Sequence, residues 1–322
     1  MKGIIKRKLF RASGGWAYGW GLALAAAGLL AGCSGSKREV IVYTSQDEVY
    51  AEPVFKAFTA RTGVPIRAVY DSEAVKTVGL ANRLLAERPH PECDVFWNNE
   101  EFRTRLLASE GIFDPASGWV SLGHRSRRVV VNPKLVSRLR YPKGLDDLTN
   151  SFWRGHVAVA YPMFGTTSTY FFALRRAWGE ARWRTWCQNL AANKPFMVDG
   201  NSVVVKFVGD GQAWAGLTDS DDIYNAQKDG APVEALPLTK ESLLIHNTAG
   251  LIAQAPHAAD GRMLLEFLAS PETARTLIAA RALEGVEDEP DGAGTMKVDW
   301  EGVLADVDAA TKELQAVFMR NE

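Results

Sequence analysis

Between residues 40 and 97 the chain alternates short apolar runs with helix-period segments, and this restricts its fold more than any other feature. Val40-Ile41-Val42-Tyr43 is a compact apolar run, which reads as a buried strand. Val54, Phe55 and Phe58 then share one helical face. Pro53 lacks an N–H and fits the first turn, so this helix is predicted to begin near Val49 or Tyr50 and to stop at Gly63. Val64 to Tyr70 is a second strand. Asp71 or Ser72 caps a second helix through Val75, Val78, Leu80, Leu84 and Leu85. Asp94 to Trp97 is a third strand and Phe102 to Glu110 a third helix. Strand and helix in alternation predict a mainly parallel sheet flanked by helices.

The alternation restarts further on. Arg128 to Pro133 reads as a strand ended by proline, and Val157 to Tyr161 as another. Gly165-Thr166-Thr167-Ser168 opens a helix through Trp178, followed by a helix over about 180–192. A strand at Phe196 to Val198, a helix over 202–208, a strand at Ala213 to Thr218 and a short helix from Asp222 follow. Val233 to Leu238 is predicted as a second crossing strand, and the C-terminal part as helices over 256–268, 271–280 and 300–319. Two α/β units joined by two extended segments, near 128–132 and 233–238, imply two lobes on a hinge. The expected division is 39–130 plus 238–322 for lobe 1 and 131–237 for lobe 2. The length of 322 residues suits two such units.

The first 33 residues stand apart. Lys2, Lys6, Arg7, Lys8 and Arg11 precede an apolar run from Leu22 to Leu30, and the segment ends in Leu30-Ala31-Gly32-Cys33. Residues 1–32 read as an export signal, and the apolar run is short of the roughly 20 residues of a membrane span. Small residues before a cysteine resemble the bacterial lipobox, which makes Cys33 the lipidated N-terminus and 33–38 a tether. A plain signal peptide or uncleaved anchor is the alternative. The expected protein is exported, periplasmic or cell-surface, monomeric, and bound to a bacterial membrane by its lipid only. Without the signal, 32 basic residues face 38 acidic ones, a net charge of −6. With no basic stripe, the composition gives no support for nucleic-acid binding. Cys93 and Cys187 remain, and both read as buried free thiols.

Five segments then occur in the order of a known family: Val42 to Gln46, Cys93 to Trp97, His124 to Val129, Gly200 to Val203, and Ala215 to Asp219, with Leu265 to Glu272 in support. Over nearly all of 39–285 the chain resembles the ferric-ion-binding branch of the periplasmic solute-binding proteins. The resemblance implies a type II periplasmic-binding-protein fold, closure around ligand, and delivery to the permease and ATPase of an ABC importer. It also implies a ligand site. Ferric members place adjacent tyrosines where this chain has Asp221-Asp222, with Tyr224 two residues later. A histidine after the first strand is here Asp47, and a glutamate after the third is Asn99, with Glu100 next. Thr166, Thr167, Ser168 and Asn201 match the region that holds a partner anion.

The residues themselves support a charged cleft. Asp47, Glu48, Glu100, Asp219, Asp221 and Asp222 all lie just beyond predicted strand ends. Carboxylates crowded in a partly dehydrated cleft repel unless a cation joins them, and hard oxygen ligands suit iron, manganese, calcium or magnesium. They equally suit an organic ammonium group. Each acid alone is also an ordinary helix-capping or loop residue, and the Thr/Ser run an ordinary N-cap. Tyr43, Ser45 and Trp97 are candidates to line the cleft, although aromatics that end strands, as Tyr43 and Trp97 do, are more often core. Arg125, Arg127 and Arg128 mark the hinge and are expected to make surface or interlobe ion pairs, with contact to an anion as the alternative. The expected function is capture of a small cationic ligand, foremost a metal ion with a synergistic anion. A zwitterion such as an aminophosphonate is the alternative, and a cleft hydrolase or a scaffold lipoprotein is more remote. No G-x-S-x-G, H-E-x-x-H or P-loop is present, so neither an enzyme nor a catalytic cofactor is expected, and only the paired acids in a cleft would suit general acid–base work.

Overall fold

A computed structural model describes residues 38–71, 78–287 and 294–319. The export signal, Cys33 and the cap expected at Ser72 lie outside the described residues.

The elements follow in the order β1 (Val40–Thr44), α1 (Glu48–Thr62), β2 (Ile66–Tyr70), α2 (Val78–Glu87), β3 (Val95–Asn98), α3 (Glu101–Ser109) and β4 (Trp119–Val131). Three short 3-10 turns lead to β5 (Val157–Ala160), α4 (Gly165–Trp178), α5 (Glu180–Ala192), β6 (Phe196–Val198), α6 (Asn201–Gly209), β7 (Ala215–Asp219) and α7 (Ser220–Lys228). The chain closes with β8 (Glu234–Ala235), β9 (Leu244–Leu251), α8 (Ala258–Leu268), α9 (Pro271–Ala279) and α10 (Trp300–Phe318).

The strands form one curled sheet in the order β2-β1-β3-β9-β4-β7-β5-β6, with β8 on β4. Each wing is parallel: β1 with β2 and β3, and β5 with β6 and β7. The middle is antiparallel, because β9 pairs with both β3 and β4, and β4 pairs with β7. Along β4, residues 119–126 pair with β9 and residues 127–131 with β7. One strand is therefore shared by both wings, and its register changes partner between Ser126 and Arg127.

Side-chain alternation explains the layering. Val157 and Val159 of β5 face the helices α4, α5 and α10, while Ala158 and Ala160 face α6. Gly216 in β7 lies under α6 so closely that a Cβ there would collide with Val204 and meet the Ala158 carbonyl at 3.1 Å. The first wing has its own apolar cluster, in which Val42, Phe55, Phe96 and Leu264 are buried together. Cys93 and Cys187 are buried free thiols, in separate clusters.

Some expectations need adjustment. α1 starts at Glu48, which puts Pro53 inside the helix; the carbonyl it leaves without a donor is that of Val49, an exposed residue. Gly63 ends the helix as expected, at φ +72°. The strand expected at 128–132 begins at Trp119. The crossing strand expected at 233–238 is reduced to Glu234–Ala235, and the long strand returning to the first wing is β9. Its centre, His246-Asn247-Thr248, is polar, which masks the strand in an apolar-run reading. Each of these side chains has a tertiary partner: His246 Nδ1 lies 3.1 Å from Glu101, Asn247 joins Gln46 and Trp97, and Thr248 joins Thr104.

Candidate functional site: an acidic cleft on a buried arginine pair

The C-terminal ends of β1, β3, β5 and β7 converge on one cavity of about 170 Å³. Asp47, Asn99, Arg125, Tyr161, Thr166, Thr167, Asp199, Asn201, Ser202, Asp219, Asp221 and Asp222 line it. Such convergence follows from parallel βα units, whose strand ends and helix starts meet on the same edge.

Four helices begin at the cavity: α1 after Asp47, α4 after Phe164, α6 after Gly200 and α7 after Asp219. In none of them does the N-cap side chain accept from a backbone N–H of the first turn. First-turn amides and the positive ends of the helix dipoles thus face the same space.

Asp219 is the structural centre. It is almost fully buried, and its Oδ1 accepts from Arg127 at 2.8 Å. Its Oδ2 accepts from the Thr166 hydroxyl at 2.6 Å, from Asn201 at 3.1 Å and from Arg125 at 3.3 Å. Burial opposes its ionisation, but the charges of Arg127 and Arg125 outweigh burial and hold its pKa below the usual carboxylate value. Arg127 also donates to Asn201 Oδ1 (2.7 Å), Thr167 Oγ1 (2.9 Å) and the Leu217 carbonyl (3.1 Å). Arg125 donates to the Asn99 carbonyl at 2.8 Å and lies 3.2 Å from Asp221. Burial works against the Arg125 charge, yet Asp221, Asp219, Asp47 and Asp222 together raise its pKa. The two arginines alternate along β4, so both side chains leave the same face of the strand. Their ion pairs are buried, which corrects the expectation of surface pairing for these two; Arg128, paired with Glu284, lies nearer the surface.

Two further bonds join α1 and α3 of the first wing to the second. Asn225 of α7 donates to the Tyr50 hydroxyl of α1 at 2.6 Å, and Thr169 donates to Glu100 at 3.0 Å. Burial, reinforced by the charge of Asp221, pushes the Tyr50 phenol up to about 12.

The cavity gathers Asp47, Asn99, Asp219, Asp221, Asp222, Thr166, Thr167 and Asn201 from the expected set. One oxygen each of Asp219, Asp221 and Asp222 lie within 4.8 Å of one another. Five expected residues fall elsewhere, with a sixth just behind the wall. Glu100 caps α3, accepting from the amides of Phe102 and Arg103, and burial raises its pKa. Tyr224 is exposed and lies under Arg281. Ser168 turns back to the Gly165 carbonyl. Tyr43 is buried in the first wing with its hydroxyl on Glu87, and Trp97 donates to Asn247 against the edge of Phe55. Both end up inside because strand alternation points them into the first wing's core. Ser45 is buried behind Asn99, donating to Asn98 and accepting from the Asn99 amide.

Sequence reasoning missed Asp199, Tyr161 and Ser202, and it did not place Arg125 in the cavity wall. Asp199 follows a predicted strand, as the chosen acids do, and that signal was available.

An α/β sheet of two parallel wings around a shared strand, with helix N-termini meeting at one cleft, defines a type II periplasmic-binding-protein fold. The chain belongs to the bacterial extracellular solute-binding protein family, whose model matches residues 39–280. It is 24% identical over 270 residues to the major ferric iron-binding protein of Neisseria meningitidis serogroup A, covering 76% of this chain and 80% of that one. The iron-bound HitA structure from Pseudomonas aeruginosa has a TM-score of 0.75 at 18% identity, covering 86% of this chain and 99% of the other. AfuA from Actinobacillus pleuropneumoniae, solved with fructose-6-phosphate, has a TM-score of 0.76 at 16% identity, covering 88% and 100%. The family consists of extracellular binding proteins, not enzymes, and implies an ABC permease and ATPase as partners. Among the described residues no helix is long and apolar enough to cross a membrane. The chain is thus a metal- or solute-binding component of an importer.

Proposed function

We propose that this chain captures a small ligand with a positive centre and passes it to its importer, the ligand being a metal ion accompanied by an anion. The observation that carries this reading is the Asp219-Asp221-Asp222 cluster facing the uncapped N-termini of α4 and α6. Asp221, Asp222 and Asp47 supply oxygens to the cation. Asp219 positions them, because both its oxygens are engaged by Arg127, Arg125, Thr166 and Asn201. The side chains of Thr166, Thr167 and Asn201 belong to the same network, so the anion is held by the first-turn amides around Gly165 and Ser202.

A zwitterion is the second reading. Arg125 lies against both Asp219 and Asp221, which lowers the net negative charge available to a bare ion. The lobes close about β4 and the segment leading to β9. Residues 39–130 and 238–287 form lobe 1 and residues 131–237 form lobe 2, with α10 moved to lobe 2 because it packs on α4 and α5. The mature chain starts at a lipidated Cys33.

Elemental analysis and native mass spectrometry of the purified protein test the metal. Calorimetry with ferric phosphate, manganese, calcium and 2-aminoethylphosphonate then ranks the ligands. The true ligand at a hundredfold excess over its Kd stabilises the fold by about 2.7 kcal/mol. Tight binding of 2-aminoethylphosphonate with no metal response overturns the metal reading in favour of the zwitterion.

A further inference from the structure

A second cavity, of about 500 Å³, lies beside β4, walled by Arg127–Val129, the 138–145 turn and the 236–242 segment. Its walls are apolar: Val129, Leu145, Leu236 and Pro142, with the Tyr170 ring among them. Tyr170 is held there by donating to the Glu241 carbonyl at 2.7 Å. Leu139, also in the wall, is 95% exposed, so apolar surface continues out to the mouth.

The charges are the reverse of those in the cleft. The wall carries Arg127, Arg128, Arg138 and Lys143 with one acid, Glu241; Arg127 is paired with Asp219 and Arg128 with Glu284, which leaves Arg138 and Lys143 as the cations of the rim. The Glu241 carboxylate already accepts from the Leu145 amide at 2.8 Å and lies 3.5 Å from Arg182. Among the described residues Arg138 has a single acid partner, Glu234, at 3.3 Å, and its side chain is 81% exposed. Lys143 makes no ion pair among the described residues. An apolar chamber with a cationic rim suits a molecule with a hydrophobic body and one negative head.

We propose that this chamber is an accessory site for a small apolar anion, an aromatic or short-chain carboxylate, whose body lies on Val129, Leu145 and Leu236 and whose head meets the rim at Lys143 and Arg138. It is separate from the acidic cleft, with which it shares no lining residue. It also touches both connections between the wings, β4 and the 236–242 segment.

The test uses 2-naphthoate and its uncharged counterpart 2-naphthol, by calorimetry on the full mature chain. Saturable binding of one naphthoate per chain is expected, with naphthol weaker by about tenfold, the effect of losing a charge-assisted contact. Lys143→Glu, an exposed substitution, should weaken naphthoate and leave naphthol unchanged. Amide shifts should concentrate at 127–129, 138–145 and 236–242. The Asp221→Asn/Asp222→Asn variant should bind naphthoate as the parent does, which separates this site from the cleft reading. Equal binding of naphthol and naphthoate, indifference to Lys143→Glu, shifts centred on the cleft, or no saturable binding each overturn the proposal.

Discussion

The two wings that meet at the cleft are built alike and equipped differently. The first brings Asp47 and Asn99 to the cavity, on strand ends backed by an apolar core. The second brings Asp199, Asp219, Asp221 and Asp222, the starts of three helices, and a buried network in which Arg127 ties Asp219 to Thr167 and Asn201. For the proposed closure, the contrast assigns the second wall as the one already organised by its own network and the first as the one that completes the enclosure. A preorganised wall loses little freedom on binding, and a closing wall adds the remaining contacts.

The most severe way to break this asymmetry is to remove its buried charge. Arg127→Met should cost about 3–5 kcal/mol in urea unfolding, because Asp219 is left ionised without its main partner. Adding Asp219→Leu should restore much of that stability; no recovery would show that shape, not charge, decides the site. The same pair gives a pH dependence. The folded pKa of Asp219 lies below the unfolded value of about 3.9, so its stabilisation is complete above that value and is lost as pH falls through the lower, folded pKa. Unfolding curves below pH 4 should therefore steepen in the parent and less so in the Arg127→Met/Asp219→Leu variant.

Next in size is the cation-holding pair. Asp221→Asn with Asp222→Asn should abolish binding of a cationic ligand, a loss of more than about a hundredfold by calorimetry. Unaltered affinity would remove both residues from the site. On the opposite wall Asp47→Asn should cost less, about tenfold. A larger loss at Asp47 than at the pair would reverse the assignment of the two walls.

Closure itself is tested by X-ray scattering, which should give a smaller radius of gyration with ligand than without. The smallest effect is at the seam between the wings. Tyr50→Phe removes the acceptor for Asn225 and should weaken ligand binding by a few-fold, the worth of about 1 kcal/mol for one hydrogen bond. An unchanged affinity would mean that the liganded state does not use this contact.

Much of the fold was legible because its signals are local. β1, β3 and β7 are short runs ended by polar residues, β5 is an apolar run ended at Tyr161-Pro162, and helices such as α2 and α6 carry one-sided apolar faces. β9 was not legible, since the polarity of His246, Asn247 and Thr248 is tolerated only through partners far away in sequence, such as Gln46 and Trp97. At the site, the acids were findable from their place after strand ends. Their division of labour was not: Asp219 and Asp222 look alike in sequence, and only the first is surrounded by two guanidiniums.

What the sequence determined by itself is the alternation of strands and helices, and with it the edge of the sheet where strand ends and helix starts collect. These follow from side-chain period and chain punctuation, which act over a few residues. The tertiary structure alone decided which carboxylates face the ligand, which are neutralised by Arg125 and Arg127, and why Glu100, Tyr43 and Trp97 are withdrawn from the cavity. Charge pairing and burial are set by neighbours brought together across the sheet, as with Arg127 and Asp219, which are 92 residues apart.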